Sequence, residues 1–215
     1  MKKPSTKKRK YDSSRRKAQA KETRRLIVES ARTLFMERGY DGATLDAIAE
    51  KASVSPVTLY AIFGNKRNIL KHLLDISIGG DEQPIRLMDR PEPQAVLRHS
   101  DPAEQIHMFS TGITDILTRV APIFDVLRVA AKMDAELELL VRNMLRERLE
   151  NMTMLVEQLE KHGGLRDGLE ISAAAELVWT ITSPEVFLLL TRDLQYSHEK
   201  YTVWLDTNLT RLLLK

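Results

Sequence analysis

Residues 44–66 of this 215-residue chain are punctuated in a way that leaves few folds open. Thr44 and Ser55 are residue types that cap a helix N-terminus, and Pro56 follows Ser55 at the first helical position, where its missing N–H costs nothing. Gly64 closes the second segment, and Asn65 caps a further one. Between these marks the spacing predicts two short helices joined by a tight turn, a helix-turn-helix. Asp46 stands in the first turn after Thr44, where the helix dipole favours a negative charge.

A lysine- and arginine-rich arm precedes this unit. Residues 1–25 hold twelve Lys or Arg against Asp12 and Glu22, a net charge of +10. Residues 26–70 carry five of each sign, and the remainder sums to −7, leaving +3 for the whole chain. One end attracts polyanions and the other repels them. Taken alone, the arm is a solvated tail and the two helices are an ordinary hairpin. Taken together they point to duplex DNA.

Helical periodicity runs through most of the chain. A helix is expected from about Lys21, with Ile27, Ala31, Leu34 and Phe35 on one buried face and Gly39 as its stop. Residues 79–100, with Pro84, Pro91 and Pro93 and no clear period, read as a loop or linker. Further helices are expected over 103–118, from Pro122 to about residue 132, from Ala135 to about His162, over 171–182, over 185–191 behind Ser183-Pro184, and from Tyr201 to Leu214. Strand alternation is rare, so the fold class expected is all-α, an N-terminal helix-turn-helix domain followed by a C-terminal helical bundle. The boundaries are a basic flexible arm at 1–20, the helix-turn-helix domain at 21–78, the linker at 79–100 and the bundle at 101–215.

In the second short helix Leu59, Ile62 and Phe63 share an inward face, and Val57, Tyr60 and Ala61 point away from it. That outer face has no Arg, Asn or Gln able to contact a base in bidentate fashion. Val57 and Ala61 suit thymine methyls, and Thr58 and Tyr60 suit base edges or phosphates, so sequence choice leans on methyl contacts and DNA shape. Lys66 is the expected phosphate clamp, helped by the free amides after Thr44 and after Ser55-Pro56. The arm, through Arg9, Arg15, Arg16 and the lysines beside them, is expected to cross the backbone or enter a neighbouring minor groove. Each phosphate neutralised adds about −0.9 to the log–log salt slope, so removing residues 1–17 should flatten it.

Other classes find little support. There is no cysteine, hence no disulfide or thiolate metal site, and His72, His99, His107, His162 and His198 show no metal-ligand spacing. No glycine-rich phosphate loop appears, and nothing frames a hydrolytic triad, so an enzyme is not expected and neither a cofactor nor a metal is called for. No apolar run approaches the roughly 18 residues of a spanning helix, so no membrane is expected. The expected place is the bacterial cytoplasm.

Residues 23–74 resemble the DNA-binding module of the tetracycline-repressor (TetR) family of bacterial regulators. The resemblance rests on Thr23-Arg24, Ala31, Leu34-Phe35, Gly39-Tyr40, Thr44-Leu45, Ile48-Ala49, Ala52, Val54-Ser55, Thr58-Leu59-Tyr60, Phe63, Asn65-Lys66 and Ile69-Leu70, in order and at the family's spacing. It implies a homodimer on a palindromic operator of double-stranded DNA, with Thr44, Thr58, Tyr60 and Lys66 at DNA-contacting positions. Ser53 stands where the family usually has glycine, and Pro56-Val57 replaces a commoner small or basic pair.

The resemblance also implies a C-terminal domain that binds a small-molecule effector and dimerises through late helices, here residues 171–191 and 200–214. His107, Phe109, Ile113, Phe124, Met144, Met152 and Trp179 are the candidate pocket residues, although apolar side chains at helical spacing serve equally as plain core. The alternative is an effector-independent DNA-binding or architectural protein whose C-terminal bundle only dimerises or docks a partner. A cavity of several hundred Å³ favours the sensor, and a closed core favours the alternative.

Overall fold

The first helix is longer than its buried face suggests. The computed structural model describes residues 13–215, with side chains from Arg15 on. Helix α1 runs Ser13–Gly42, its helical dihedrals broken at Gly39 (φ 70°, ψ 179°). The expected start near Lys21 is too late, and the flexible arm expected at 1–20 is helical from Ser13. Arg15, Arg16 and Lys17 lie exposed on the helix. Arg, Lys, Ala and Gln are strong helix formers, so propensity carries the helix where no buried face marks it. Arg9 and the lysines around it lie outside the described residues.

Helices α2 (Leu45–Lys51), α3 (Pro56–Phe63) and α4 (Lys66–Gly79) follow as expected. Ile48, Leu59, Ile69, Leu70 and Leu73 close a core against Ile27, Ala31 and Phe35 of α1, all essentially buried. These helices form the head of the molecule.

The stretch 79–100, expected as a loop, holds a 3-10 turn at Leu87–Asp89 and helix α5, Pro91–Arg98. Its prolines fall in the first turn, where a helix has no internal partner for its N–H groups, so they mark a start here.

Helix α6, Pro102–Ala130, is a second correction: it passes unbroken through Pro122 instead of restarting there. An interior proline costs about 3 kcal/mol in an isolated helix. Here α1, α4, α5, α7, α9 and α10 all pack on α6, and both sides of the proline are buried through Val120, Ala121, Ile123 and Phe124. Tertiary packing overrides the local breaker. Helices α7 (Ala135–Lys161), α8 (Ile171–Ile181), α9 (Pro184–Leu188) and α10 (His198–Leu213) complete the body, with a π turn at Leu189–Asp193. Among the described residues the only strand-like pairing is an isolated bridge between Leu165 and Leu214.

Eighteen residues within Ile171–Asp193 average a hydropathy of 1.4, apolar enough to match a membrane span by length and composition. The sequence reading missed it because Ser, Thr and Glu interrupt every strictly apolar run. Its geometry is that of a packed bundle: the helix breaks at Thr182-Ser183, α8 lies on α7 and α9 on α6.

Side chains tie head to body. Arg119 of α6 donates from Nε to the Ser77 carbonyl of α4 at 3.0 Å, and within the head Arg32 of α1 steadies the same residue by donating to Ser77 Oγ at 2.7 Å. Arg67, at the start of α4, reaches Asp134 Oδ2 at 2.6 Å and Glu136 at 2.9 Å. Asp134 also caps α7, accepting from the Glu136 and Leu137 amides. Its hydrogen bond from Arg67 holds its carboxyl below the usual range.

Candidate nucleic-acid interface and the cavity behind it

Three side-chain caps set the geometry of the head. Thr44 Oγ1 accepts from the Ala47 amide at 3.1 Å, Ser55 Oγ from the Thr58 amide at 3.1 Å, and Asn65 Oδ1 from the Asn68 amide at 2.9 Å. The turn between α2 and α3 passes through Ser53 at φ 55°, a left-handed conformation that favours glycine. Gly64, at φ 73°, donates its N–H to the Tyr60 carbonyl at 2.9 Å and closes α3.

These devices turn α3 so that Leu59 and Phe63 are buried while Val57 is 77% and Tyr60 51% exposed. Pro56 and Ala61 are exposed with them, as are Ser55 and Thr44. The hydroxyl of half-buried Thr58 lies 2.8 Å from Ser55 Oγ, so it is already engaged.

Lys66 is engaged within the head. Its Nζ donates to the Tyr40 carbonyl at 2.6 Å and lies 4.2 Å from the Tyr40 ring centroid. Burial pushes its pKa down. The ammonium is thereby held at the α1–α4 corner. Arg24, not singled out from sequence for any contact, stacks over Phe63 at 4.9 Å. Only the folded arrangement of α1 beside α3 reveals it.

Behind the head lies a cavity of about 470 Å³ between α4, residues 79–90, α6, α7 and Pro184. Of the candidate pocket residues, Ile113, Phe124, Met144 and Met152 line it, and His107, Phe109 and Trp179 do not. His107 turns outward to Asp206 of α10 at 3.6 Å. Phe109 packs half-buried against the core. Trp179 sits on α8 beyond α7, its Nε1 donating to the Leu145 carbonyl at 3.2 Å.

The sequence reading missed the wall supplied by α4, namely His72, Asp75 and Ile76, and the cover supplied by residues 81–90. That cover is pinned where Arg90 meets Asp81 at 2.9 and 3.1 Å, a contact that lowers the Asp81 carboxyl to about 2. His72 faces both ways: it lines the cavity, and its ring lies 5.7 Å from Phe63 of α3.

Residues 27–73 match the sequence family described as bacterial regulatory proteins, tetR family. The chain carries the DNA-binding module of the TetR family. Along most of its length it is 28% identical, over 182 residues, to the uncharacterised HTH-type transcriptional regulator YdeS of Bacillus subtilis, covering 80% of this chain and 85% of YdeS. Over 43 residues it is 46% identical to IcaR of Staphylococcus aureus, the HTH-type negative transcriptional regulator of the biofilm operon icaADBC, a match spanning 20% of this chain and 23% of IcaR. The fold is shared with the transcriptional regulator FadR of Bacillus subtilis, solved in complex with stearoyl-CoA, at TM-score 0.68 and 19% identity over 86% of this chain and 96% of that one.

With that module the chain is an all-α, DNA-binding transcriptional regulator, with α2 and α3 as its helix-turn-helix.

Proposed function

We propose that this TetR-family protein is a ligand-responsive repressor that binds a palindromic operator as a homodimer and acts by binding rather than by catalysis. Residues 21–78 read DNA in the bacterial cytoplasm, and residues 101–215 sense and dimerise. The observation that carries this reading is the double use of α4. Leu70, Leu73 and Leu74 belong to the head core, while His72, Asp75 and Ile76 wall the cavity. A ligand that moves α4 also moves the seat of α3.

The contact set proposed for DNA is Val57, Tyr60 and Ala61 on base edges, with Thr44, Ser55, Pro56 and Thr58 around them. Lys66 turns from Tyr40 to a phosphate. Arg9, Arg15 and Arg16 supply long-range attraction. For the dimer, α8 to α10 present exposed Leu189, Leu194, Val203 and Leu212, a concentration of apolar side chains that suits burial against a second copy. The relative solved with stearoyl-CoA lends support to a ligand in the body. A cavity this size falls within the roughly 300–1,000 Å³ of small-molecule sites, which favours the sensor over an effector-independent protein.

Selection from random duplexes is expected to recover an inverted repeat bound by two protomers, with the two Tyr60 side chains about 34–36 Å apart. Ligands that occupy the cavity are expected to weaken operator binding about 5–150-fold, the usual range of allosteric coupling. Unchanged operator affinity at full occupancy would favour the effector-independent reading.

A further inference from the structure

The cavity is apolar along α6 and α7 but carries one charge set deep in its wall. Arg148 lines it, four residues from Met144 and Met152 on the same face of α7. Its guanidinium is anchored through Nη2, which donates to the Trp179 carbonyl and to Thr182 Oγ1, and it stacks 5.0 Å from the Trp179 ring centroid. Its Nε and Nη1 are shut from solvent and have no hydrogen-bond partner. No carboxylate pairs with it among the described residues. The acid whose field reaches it, Glu185, is bound to Arg128 at 2.7 Å. Burial pulls the Arg148 pKa down to about 10. Tyr201 Oη, also buried without a partner, is close enough to feel the same charge.

The other charged groups of the lining are accounted for. Arg90 is paired with Asp81, Glu82 with Lys21 at 3.5 Å, and Asp75 is flanked by Lys71 and His72. Arg86 and Glu147 are exposed. A buried cation with unused donors is costly, and a carboxylate in a low-dielectric site offsets that cost through charge-assisted, bidentate hydrogen bonds.

We infer that the cavity is a receptor for an amphipathic carboxylate, its anionic head on Arg148 and its apolar body along Ile113, Leu117, Val120, Phe124 and Met144. The inference rests on the ligand-site reading given above. A carboxylate arriving in the cavity meets the arginine stem first. It gains the Nε and Nη1 donors by a turn of the outer side-chain torsions about the Nη2 anchor.

Decanoate, decanamide and decylamine, alike in chain and different in charge, test this by calorimetry on the full-length protein. Decanoate is expected to bind at least tenfold more tightly than either of the others. Arg148→Gln is expected to erase that preference and keep decanamide binding. Equal affinities, tightest binding of decylamine, no binding of any probe, or a preference untouched by Arg148→Gln would each overturn the inference. If the variant does not fold, wild-type protein with carboxyl-labelled [1-13C]decanoate decides by NMR. A bound carboxyl that titrates below the free acid supports the site, and one at or above it overturns it. Operator affinity read in the same samples separates the two ideas. Carboxylate binding that leaves operator affinity unchanged defeats the regulatory reading and keeps the site. Operator release by decanamide or decylamine with no preference for decanoate does the reverse.

Discussion

Helices α2, α3 and α4 each begin on a side chain that caps them, Thr44, Ser55 and Asn65, and each is short. Helix α6 also begins on a cap, Asp101, but runs 29 residues through a proline. The head is thus specified by local chemistry that one residue at a time can carry. The body has caps of its own at Asp101, Asp134, Ser183 and Ser197, but the course of its long helices is set by what they press against. Short helices with strong caps hold a surface in a fixed pose, as a reading face requires. Long helices around α6 leave room between them, and the cavity lies there.

The largest expected effect contrasts the two faces of α3. Leu59→Ala should destabilise the head by about 2–5 kcal/mol, the cost of emptying a fully buried site. Tyr60→Ala should change stability by less than about 0.5 kcal/mol and weaken operator binding about tenfold, near 1.4 kcal/mol. Urea melts and fluorescence anisotropy on a selected duplex measure both. Equal destabilisation by the two changes would show that α3 has no free face.

A smaller effect concerns the turn. Ser53 holds a left-handed conformation that costs a residue with a side chain about 1–2 kcal/mol, part of which glycine returns as chain entropy. Ser53→Gly should therefore raise stability by up to about 1 kcal/mol and leave operator affinity alone. A lower urea midpoint would mean that the serine side chain makes a contact worth more than the strain.

The smallest effect is one of pH at the boundary between head and body. Burial, and then the charge of Arg24, hold His72 below its ordinary value, with Asp75 and Glu82 pulling the other way. A histidine so depressed contributes stability that is full above about pH 6.5 and is lost as the pH falls through its folded value. Melts from pH 7.5 to 5.5 should show that loss, and His72→Gln should reduce it. Asp75, pushed up by burial, gives a slope of the opposite sign. An identical pH profile in the variant would place the titration elsewhere.

The head was legible from sequence because caps and glycines act within four residues of themselves. Thr44, Ser55, Gly64 and Asn65 do in the structure what their types predict. The body was legible as helices but not as a site. Pro122 reads as a break until the packing on both sides of it is known, and Pro91 and Pro93 read as a loop although they open α5. The wall from α4 was out of reach, because His72 and Asp75 look like ordinary residues of a head helix until the body is folded against them. Lys66 was placed correctly at the start of α4, but its attachment to the Tyr40 carbonyl depends on a chain segment 26 residues away.

That α4 is common to both regions has a thermodynamic consequence under the proposed function. Whatever factor a bound ligand takes from operator affinity, the operator must take from ligand affinity. DNA then acts as an antagonist of the small molecule, and a cell carrying many copies of the site would need more of the compound to switch the same gene.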